Sequence, residues 1–431
     1  MAKFGTSGIR GLFNELDPQT AFKVGNIFAK ILGKRLGVAT DNRKTSEAIK
    51  HALLSGILSS GSNAVDLGIL PSPVAEFYNY NKLDGLFIVT ASHNPPEYNG
   101  IKVVDKNGLI IRKEVANRIM KNEVSLVDWK NAGYVRQRNA LPFYVKRVLK
   151  RFKEIKKEVV VDYGNGTGSI AFPVIAKKLG LNLLEINSHV NGMFPGRNSE
   201  PTEQNLTLLK QFSKEEGKIG IAFDGDCDRL SMIDERGNFV SGDKTFALAV
   251  KAMYEEGKKG DVVTTVATTK AIEEIAKEHG FKVRYAVVGA PYIADETSKK
   301  DVMTGGEEVG TAIFKEFSLA KDGFLTALTI LKHLGDKKLS ERLNELPQWF
   351  KVKKIIRVKD DEEKKRIVEK FKSHFKDEKR TEIDGLRVDF DDWWFIIRPS
   401  GTEPLVRLFV EAKTKSKALK KLNELEKLIY E

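Results

Sequence analysis

Short apolar runs alternate along most of the chain with stretches in which apolar positions recur every three or four residues. The runs over 86–90, 159–162, 219–223 and 262–266 are rich in apolar and β-branched residues, a pattern that predicts buried strands. The helical period is clear over 44–58, 170–179 and 270–279, and Gly180 and Gly280 stand where a helix C-cap favours glycine. Strand–helix units of this kind start near positions 36, 158 and 261. They predict α/β layers with mixed, largely parallel sheets, built three times without a fixed-period sequence repeat.

The pattern changes toward the C-terminus. A strand over 351–358, a helix over 361–375, short strands over 387–390, 394–397 and 405–411 and a final amphipathic helix predict a smaller α+β domain. A chain of 431 residues exceeds what one hydrophobic core serves, and divides into 1–137, 138–242, 243–345 and 346–431.

Composition narrows the class. Hydrophobic residues make up 41% and charged residues 30%, as in ordinary globular proteins. No stretch predicts a membrane span or an N-terminal signal core, so the expected location is cytoplasmic and no membrane partner is expected. The single cysteine, Cys227, excludes an intrachain disulfide. Lys and Arg total 72 against 59 acidic residues, a net charge of +13. Most of that charge lies in mixed-sign runs such as 359–366, typical of solvated helix faces, so a phosphorylated small molecule is a better expected partner than nucleic acid.

Four segments carry candidate chemistry. In Thr90-Ala91-Ser92-His93-Asn94-Pro95-Pro96 a strand delivers a serine hydroxyl to the carboxyl edge of a sheet, where α/β proteins place ligands. Read alone, Ser92 fits a helix N-cap at least as well. Asp224-Gly225-Asp226-Cys227-Asp228-Arg229 also ends an apolar strand. Its alternate aspartates would repel one another without a hard cation, and Arg229, standing where a calcium loop requires glycine, excludes that loop type. In Arg398-Pro399-Ser400-Gly401-Thr402-Glu403-Pro404, with Arg407 beyond it, a guanidinium, two hydroxyls and the amides of a turn fit a phosphate, although a plain hairpin is an equal reading of the turn alone. Gly305-Gly306-Glu307-Glu308-Val309-Gly310 offers carboxylates to sugar hydroxyls, or is a solvated acidic turn. Gly164-Asn165-Gly166-Thr167-Gly168 lacks the lysine of a nucleotide phosphate loop and reads as a tight strand-to-helix turn.

Together, and in this order, the four segments resemble the α-D-phosphohexomutase superfamily, and Lys3-Phe4-Gly5-Thr6-Ser7-Gly8-Ile9-Arg10-Gly11 resembles its N-terminal signature. The resemblance implies three similar α/β domains and a smaller fourth around a central cleft. It implies interconversion of hexose 1-phosphate and hexose 6-phosphate through a phosphorylated Ser92 and a 1,6-bisphosphate intermediate. Asp224, Asp226, Asp228 and the Ser92 phosphate would bind Mg²⁺, and glucose 1,6-bisphosphate or its equivalent would act as activator. Arg10 would steady the phosphoserine, Lys102 would be general acid or base with His93 assisting, and Arg229 would support them. Glu307 would bind sugar hydroxyls; Arg398, Ser400, Gly401, Thr402 and Arg407 would hold the phosphate that does not react. A homodimer is a further expectation.

Two departures from the family bear on the sugar. Val309 and Thr311 stand where many relatives have Ser and His, and residues 286–290 are apolar where relatives often place Lys or His. The run 91–102, with Pro95-Pro96, resembles the glucose/mannose type more than the bacterial glucosamine type. Phosphoglucosamine mutase is the alternative activity; a sugar-phosphate phosphatase or binding protein is more remote.

Overall fold

The computed structural model describes residues 4–400 and 403–430. Strands Arg35–Thr40, Gly85–Val89, Glu158–Asp162, Ile219–Phe223 and Asp261–Thr265 are buried almost throughout, which explains their continuous apolar character. Helices Ser46–Ser59, Gly168–Leu179 and Ala271–Glu278 form where the period predicts them. Gly180 closes the second at φ 79°, left-handed, with its N–H bonded to the Ala176 carbonyl.

The first sheet runs Phe4–Gly5, Gly8–Leu12, Tyr98–Asp105, Gly85–Val89, Arg35–Thr40, Asn63–Ile69, Val135–Gln137 in spatial order. The second runs Phe239–Val240, Leu230–Ile233, Ile219–Phe223, Glu158–Asp162, Asn182–Ile186, and the third Val283–Ala286, Asp261–Thr265, Val302–Gly305. The helix-linked neighbours in each are parallel. The first two sheets also carry antiparallel flanks, which make them mixed as expected. The cause is local: the turn 224–229 between Ile219–Phe223 and Leu230–Ile233 is too short for a crossover, so the chain returns antiparallel.

The fourth unit is a wholly antiparallel sheet, Phe350–Arg357, Leu405–Ala412, Trp393–Pro399, Leu386–Asp389, Arg380–Thr381. Helix Asp361–His374 and the C-terminal helix Lys415–Tyr430 bury Ile367, Phe371, Ala418 and Leu422 against it.

Packing between units fixes how the loops meet. Phe77, Tyr144 and Phe317, one from each of the first three units, have ring centroids 5.5–5.9 Å apart. Phe172, Phe223 and Phe324 form a second triad at 5.0–5.5 Å. Between the third and fourth units, Trp349, Trp394 and Val266 share a core, with the buried Arg387 guanidinium 4.0 Å from the Trp394 ring. Among the described residues no helix is long and apolar enough to cross a membrane.

Candidate active site

Ser92 follows the buried strand Gly85–Val89, and no helix begins there, so it is not an N-cap. It adopts φ 51°, in the left-handed region that non-glycine residues enter only when held there. The holding group is Arg43, itself buried, whose guanidinium donates to the carbonyls of Ser92 (2.9 Å), Asn94 (2.6 Å), Tyr98 (3.2 Å) and Pro95. Its Nε is ion-paired with Asp41 at 3.0 Å. Ser199 Oγ donates to the Ser92 carbonyl at 3.0 Å and accepts from the Gly225 amide at 3.0 Å, joining the serine loop to the aspartate loop.

The Ser92 hydroxyl donates to Asp224 Oδ2 at 2.8 Å. Asp224, Asp226 and Asp228 each offer an oxygen within 4.8 Å of the others, and Asp226 Oδ1 is buried without a hydrogen-bond partner. Burial and the two neighbouring carboxylates push the Asp224 carboxyl well above its usual range. Three converging carboxylates, one of them with an orphaned oxygen, beside a serine oxygen make a site that fits one hard divalent cation. Gly166 allows the approach of the preceding strand-to-helix turn, since a Cβ there would lie 2.9 Å from Gly225 Cα.

Lys102 Nζ donates to Asp226 Oδ2 at 2.8 Å and Asp228 Oδ2 at 3.0 Å. Burial alone would lower its pKa, but Asp226, Asp228 and Glu76 outweigh burial and hold it as an ammonium. His93 Nδ1 lies 3.4 Å from Ser92 Oγ, at the limit of a hydrogen bond. Burial, reinforced by Arg229 and Arg10, lowers its pKa to about 3, so the imidazole is neutral at pH 7. Arg229 Nη2 lies 3.4 Å from His93 Nε2, its Nη1 pairs with Glu200, and its buried Nε has no partner. Arg10 donates to the Asn94 side chain at 2.9 Å.

Arg10, Ser92, His93, Lys102, Asp228 and Arg229 line one cavity of about 480 Å³ together with Glu307, Glu308 and Val309. Glu307 is ion-paired with Lys321 at 3.0 Å, while Glu308 turns to accept from Thr265 Oγ1 at 3.1 Å. The structure thus brings Arg10, Ser92, His93, Lys102, Asp228, Arg229 and Glu307 to one surface.

Four family profiles described as phosphoglucomutase/phosphomannomutase match the chain in order: domain I over 1–124, domain II over 134–237, domain III over 241–350 and the C-terminal domain over 355–427. A phosphoglucomutase/phosphomannomutase of Thermococcus kodakarensis is 39% identical, over 99% of this chain and 98% of its own. The chain belongs to the phosphoglucomutase/phosphomannomutase family. It is also 37% identical to a phosphoglucosamine mutase of Methanocaldococcus jannaschii, over 99% and 98% of the two chains. A solved phosphoglucomutase/phosphomannomutase family protein of Burkholderia thailandensis superposes with TM-score 0.89 at 25% identity, covering 98% of this chain and 96% of that one.

The C-terminal loop of this family member stands apart from the cavity: Arg398, Ser400 and Arg407 do not line it. Arg398 and Arg407 face each other across neighbouring strands, a placement that disfavours two like charges unless anions neutralise them. Here Asp384 pairs with Arg398 and Glu403 with Arg407, both at 2.9 Å. Asp384 also accepts from the Val288 amide at 3.4 Å, and Val288 does line the cavity, so the loop sits at its rim. Gly401 and Thr402 lie outside the described residues.

Several residues that shape the site carry no motif of their own. Ser72 donates from its hydroxyl to Asp226 Oδ2 at 2.7 Å and from its amide to the Asp226 carbonyl at 2.9 Å. Lys321 neutralises Glu307, and Arg43 and Ser199 clamp the serine loop. Glu76, 4% exposed, lies on the wall of a small cavity shared with Lys102. Burial raises its pKa to about 8, against the opposing pull of Lys102.

Proposed function

We propose that the chain interconverts hexose 1-phosphate and hexose 6-phosphate, with glucose and mannose as sugars, through phosphorylated Ser92. The observation that carries this reading is the 2.8 Å contact of the Ser92 hydroxyl with Asp224, beside the Lys102 ammonium and on the wall of one cavity. Asp224, Asp226, Asp228 and the Ser92 oxygen would hold Mg²⁺, which when bound neutralises charge on the phosphoryl oxygens. Arg43 and Arg10 keep the serine loop in its left-handed turn, so the phosphoserine faces the cavity. In the first transfer the phosphoserine P–O bond breaks and a sugar oxygen takes the phosphoryl group, releasing its hydroxyl proton. The second transfer returns the other phosphate to Ser92 and restores a proton to the sugar. The neutral His93 assists by taking the proton released in the first transfer, and the Lys102 ammonium acts as the acid that gives one back in the second, with Arg229 supporting both.

Glu307 accepts from sugar hydroxyls with the oxygen that Lys321 leaves free. Arg398, Ser400, Gly401, Thr402 and Arg407 hold the phosphate at rest. Glucose 1,6-bisphosphate, or its equivalent, restores the serine phosphate when it is lost. We place the enzyme in the cytoplasm as a homodimer without nucleic-acid or membrane partners. Phosphoglucosamine mutase is the second reading, supported by the similarity to the M. jannaschii enzyme.

The test is intact mass before and after incubation with glucose 1,6-bisphosphate, followed by turnover of glucose, mannose and glucosamine 1-phosphates. One added phosphate on Ser92 with bisphosphate-dependent turnover is expected. Stoichiometric release of free phosphate without isomerisation would refute the mutase reading in favour of hydrolysis.

A further inference from the structure

A second cavity lies between helices of the first two units and shares no lining residue with the active-site cavity. On helix Leu141–Arg151 the residues that line it are Phe143, Lys146, Arg147 and Lys150, at the spacing of neighbours on one helix face. Helix Ser72–Lys82 supplies the other wall through Phe77 and Tyr78, with Asn81 and Lys82 one turn further on. The rings of Tyr78 and Phe143 meet edge to face at 5.5 Å, and Phe143 is half-exposed. The space is about 180 Å³, close to the roughly 150 Å³ that accepts one benzene-sized ring.

The charged side chains lining this cavity are all positive. Lys82, Lys146 and Lys150 have no ion-pair partner among the described residues, and Arg147 donates to the Glu316 carbonyl at 3.2 Å. Lys146 and Lys150 stand four apart on their helix, a like-charge pair that costs stability unless an anion joins them. The polar uncharged groups are also unspent. Tyr78 is 4% exposed, yet its hydroxyl makes no hydrogen bond to a described residue, where a buried tyrosine usually finds a partner. Asn81 donates its side-chain amide to the Phe77 carbonyl at 2.8 Å, which leaves its side-chain oxygen to accept. We propose that this cavity binds a pyrimidine nucleoside 5′-phosphate, with the base against Phe143, Phe77 and Tyr78 and the phosphate on the lysines. An aromatic carboxylate would leave the hydroxyl and amide oxygen unpaired and most of the positive charge unbalanced. A second copy of this chain fits poorly, because a two-fold contact would set the same cations against one another.

The test is isothermal titration of the full chain with uridine 5′-phosphate, uridine, ribose 5-phosphate and benzoate. It is repeated with the double variant Lys146→Glu, Lys150→Glu and with Phe143→Ala. Uridine 5′-phosphate should bind once per chain, at least about tenfold tighter than uridine or benzoate. The double charge reversal should weaken it at least about tenfold, and Phe143→Ala about fivefold, the scale of one lost ring contact. Ribose 5-phosphate, which has no base to stack, should respond to the charge reversal but not to Phe143→Ala. Nucleotide binding that survives the charge reversal unchanged belongs to another site and overturns the proposal, as does benzoate bound as tightly as the nucleotide. A parent dimer that the charge reversal converts to a monomer in sedimentation assigns the surface to a subunit contact and overturns it too. Both lysines are exposed, so the double variant alone decides should Phe143→Ala not fold. None of these readouts requires turnover of a hexose phosphate.

Discussion

Glu76 gives a quantitative test of the site's electrostatics. Its carboxyl is buried near Lys102, Asp226 and Asp228, makes no hydrogen bond to the described residues, and has a pKa raised to about 8. A carboxyl whose folded pKa exceeds its unfolded value near 4.5 binds a proton in the native state that the unfolded chain has already released. Stability must then fall as pH rises from about 4.5 to 8, at close to 1.4 kcal/mol per pH unit while that difference is complete. Between pH 5.5 and 8.5 the predicted loss attributable to Glu76 is about 3 kcal/mol. Glu76→Gln keeps the shape and removes the titration. Urea unfolding of both proteins in EDTA, at half-unit pH steps, should show the parent losing about 3 kcal/mol more than the variant across this window. Glu76→Gln should be the more stable protein above pH 8. Parallel pH profiles would refute the reasoning and show that Glu76 titrates as an ordinary carboxyl.

Three further outcomes follow from the contacts. Ser92→Ala should reduce turnover at least ~10³-fold, with no mass gain from glucose 1,6-bisphosphate, because the phosphate then has no acceptor; full activity would remove Ser92 from the mechanism. Asp226→Ala should weaken Mg²⁺ binding by ~10–100-fold in calorimetry, since it deletes an orphaned oxygen and the partner of both Ser72 and Lys102. Arg43→Met leaves a buried Asp41 unpaired and carbonyls of the serine loop without donors, which should cost about 3–5 kcal/mol and show as an early thermal transition; a wild-type melt would mean the loop holds its own conformation.

Much of the architecture is legible in the sequence because strands buried on both faces must be apolar without interruption. The run Ile219–Phe223 is read with its observed ends for that reason, and it places the aspartates at a sheet edge before any contact is known. Mixed sheets are expected, but which strands form the antiparallel flanks is not legible, because Gly8–Leu12 and Leu230–Ile233 look like any other short strand. Their direction is set by the turns that join them, and turn length is visible only once both strand ends are known.

The same limit applies to the site. Ser92, Asp224, Asp226 and Asp228 are legible because each chemistry-bearing side chain sits in a short local motif at a strand end. The groups that make those motifs work arrive from elsewhere in the chain: Arg43 from before the helix Ser46–Ser59, Ser72 from the start of Ser72–Lys82, Lys321 from the short strand Lys321–Asp322 ahead of Gly323–His333. Each is an ordinary polar residue in its own segment, and its partner is 49 residues away for Arg43 and Ser92 and 154 for Ser72 and Asp226. What marks them is burial of a charge or hydroxyl with its hydrogen bonds satisfied, a property of the packed interior. Lys321 sharpens the point. It stands 14 residues from Glu307 and converts an acidic turn that would otherwise be solvated into a buried ion pair facing the cavity. A carboxylate already balanced by an ammonium can accept from neutral hydroxyls without carrying net charge into the site, so the sugar contact proposed for Glu307 would depend on a lysine outside every motif.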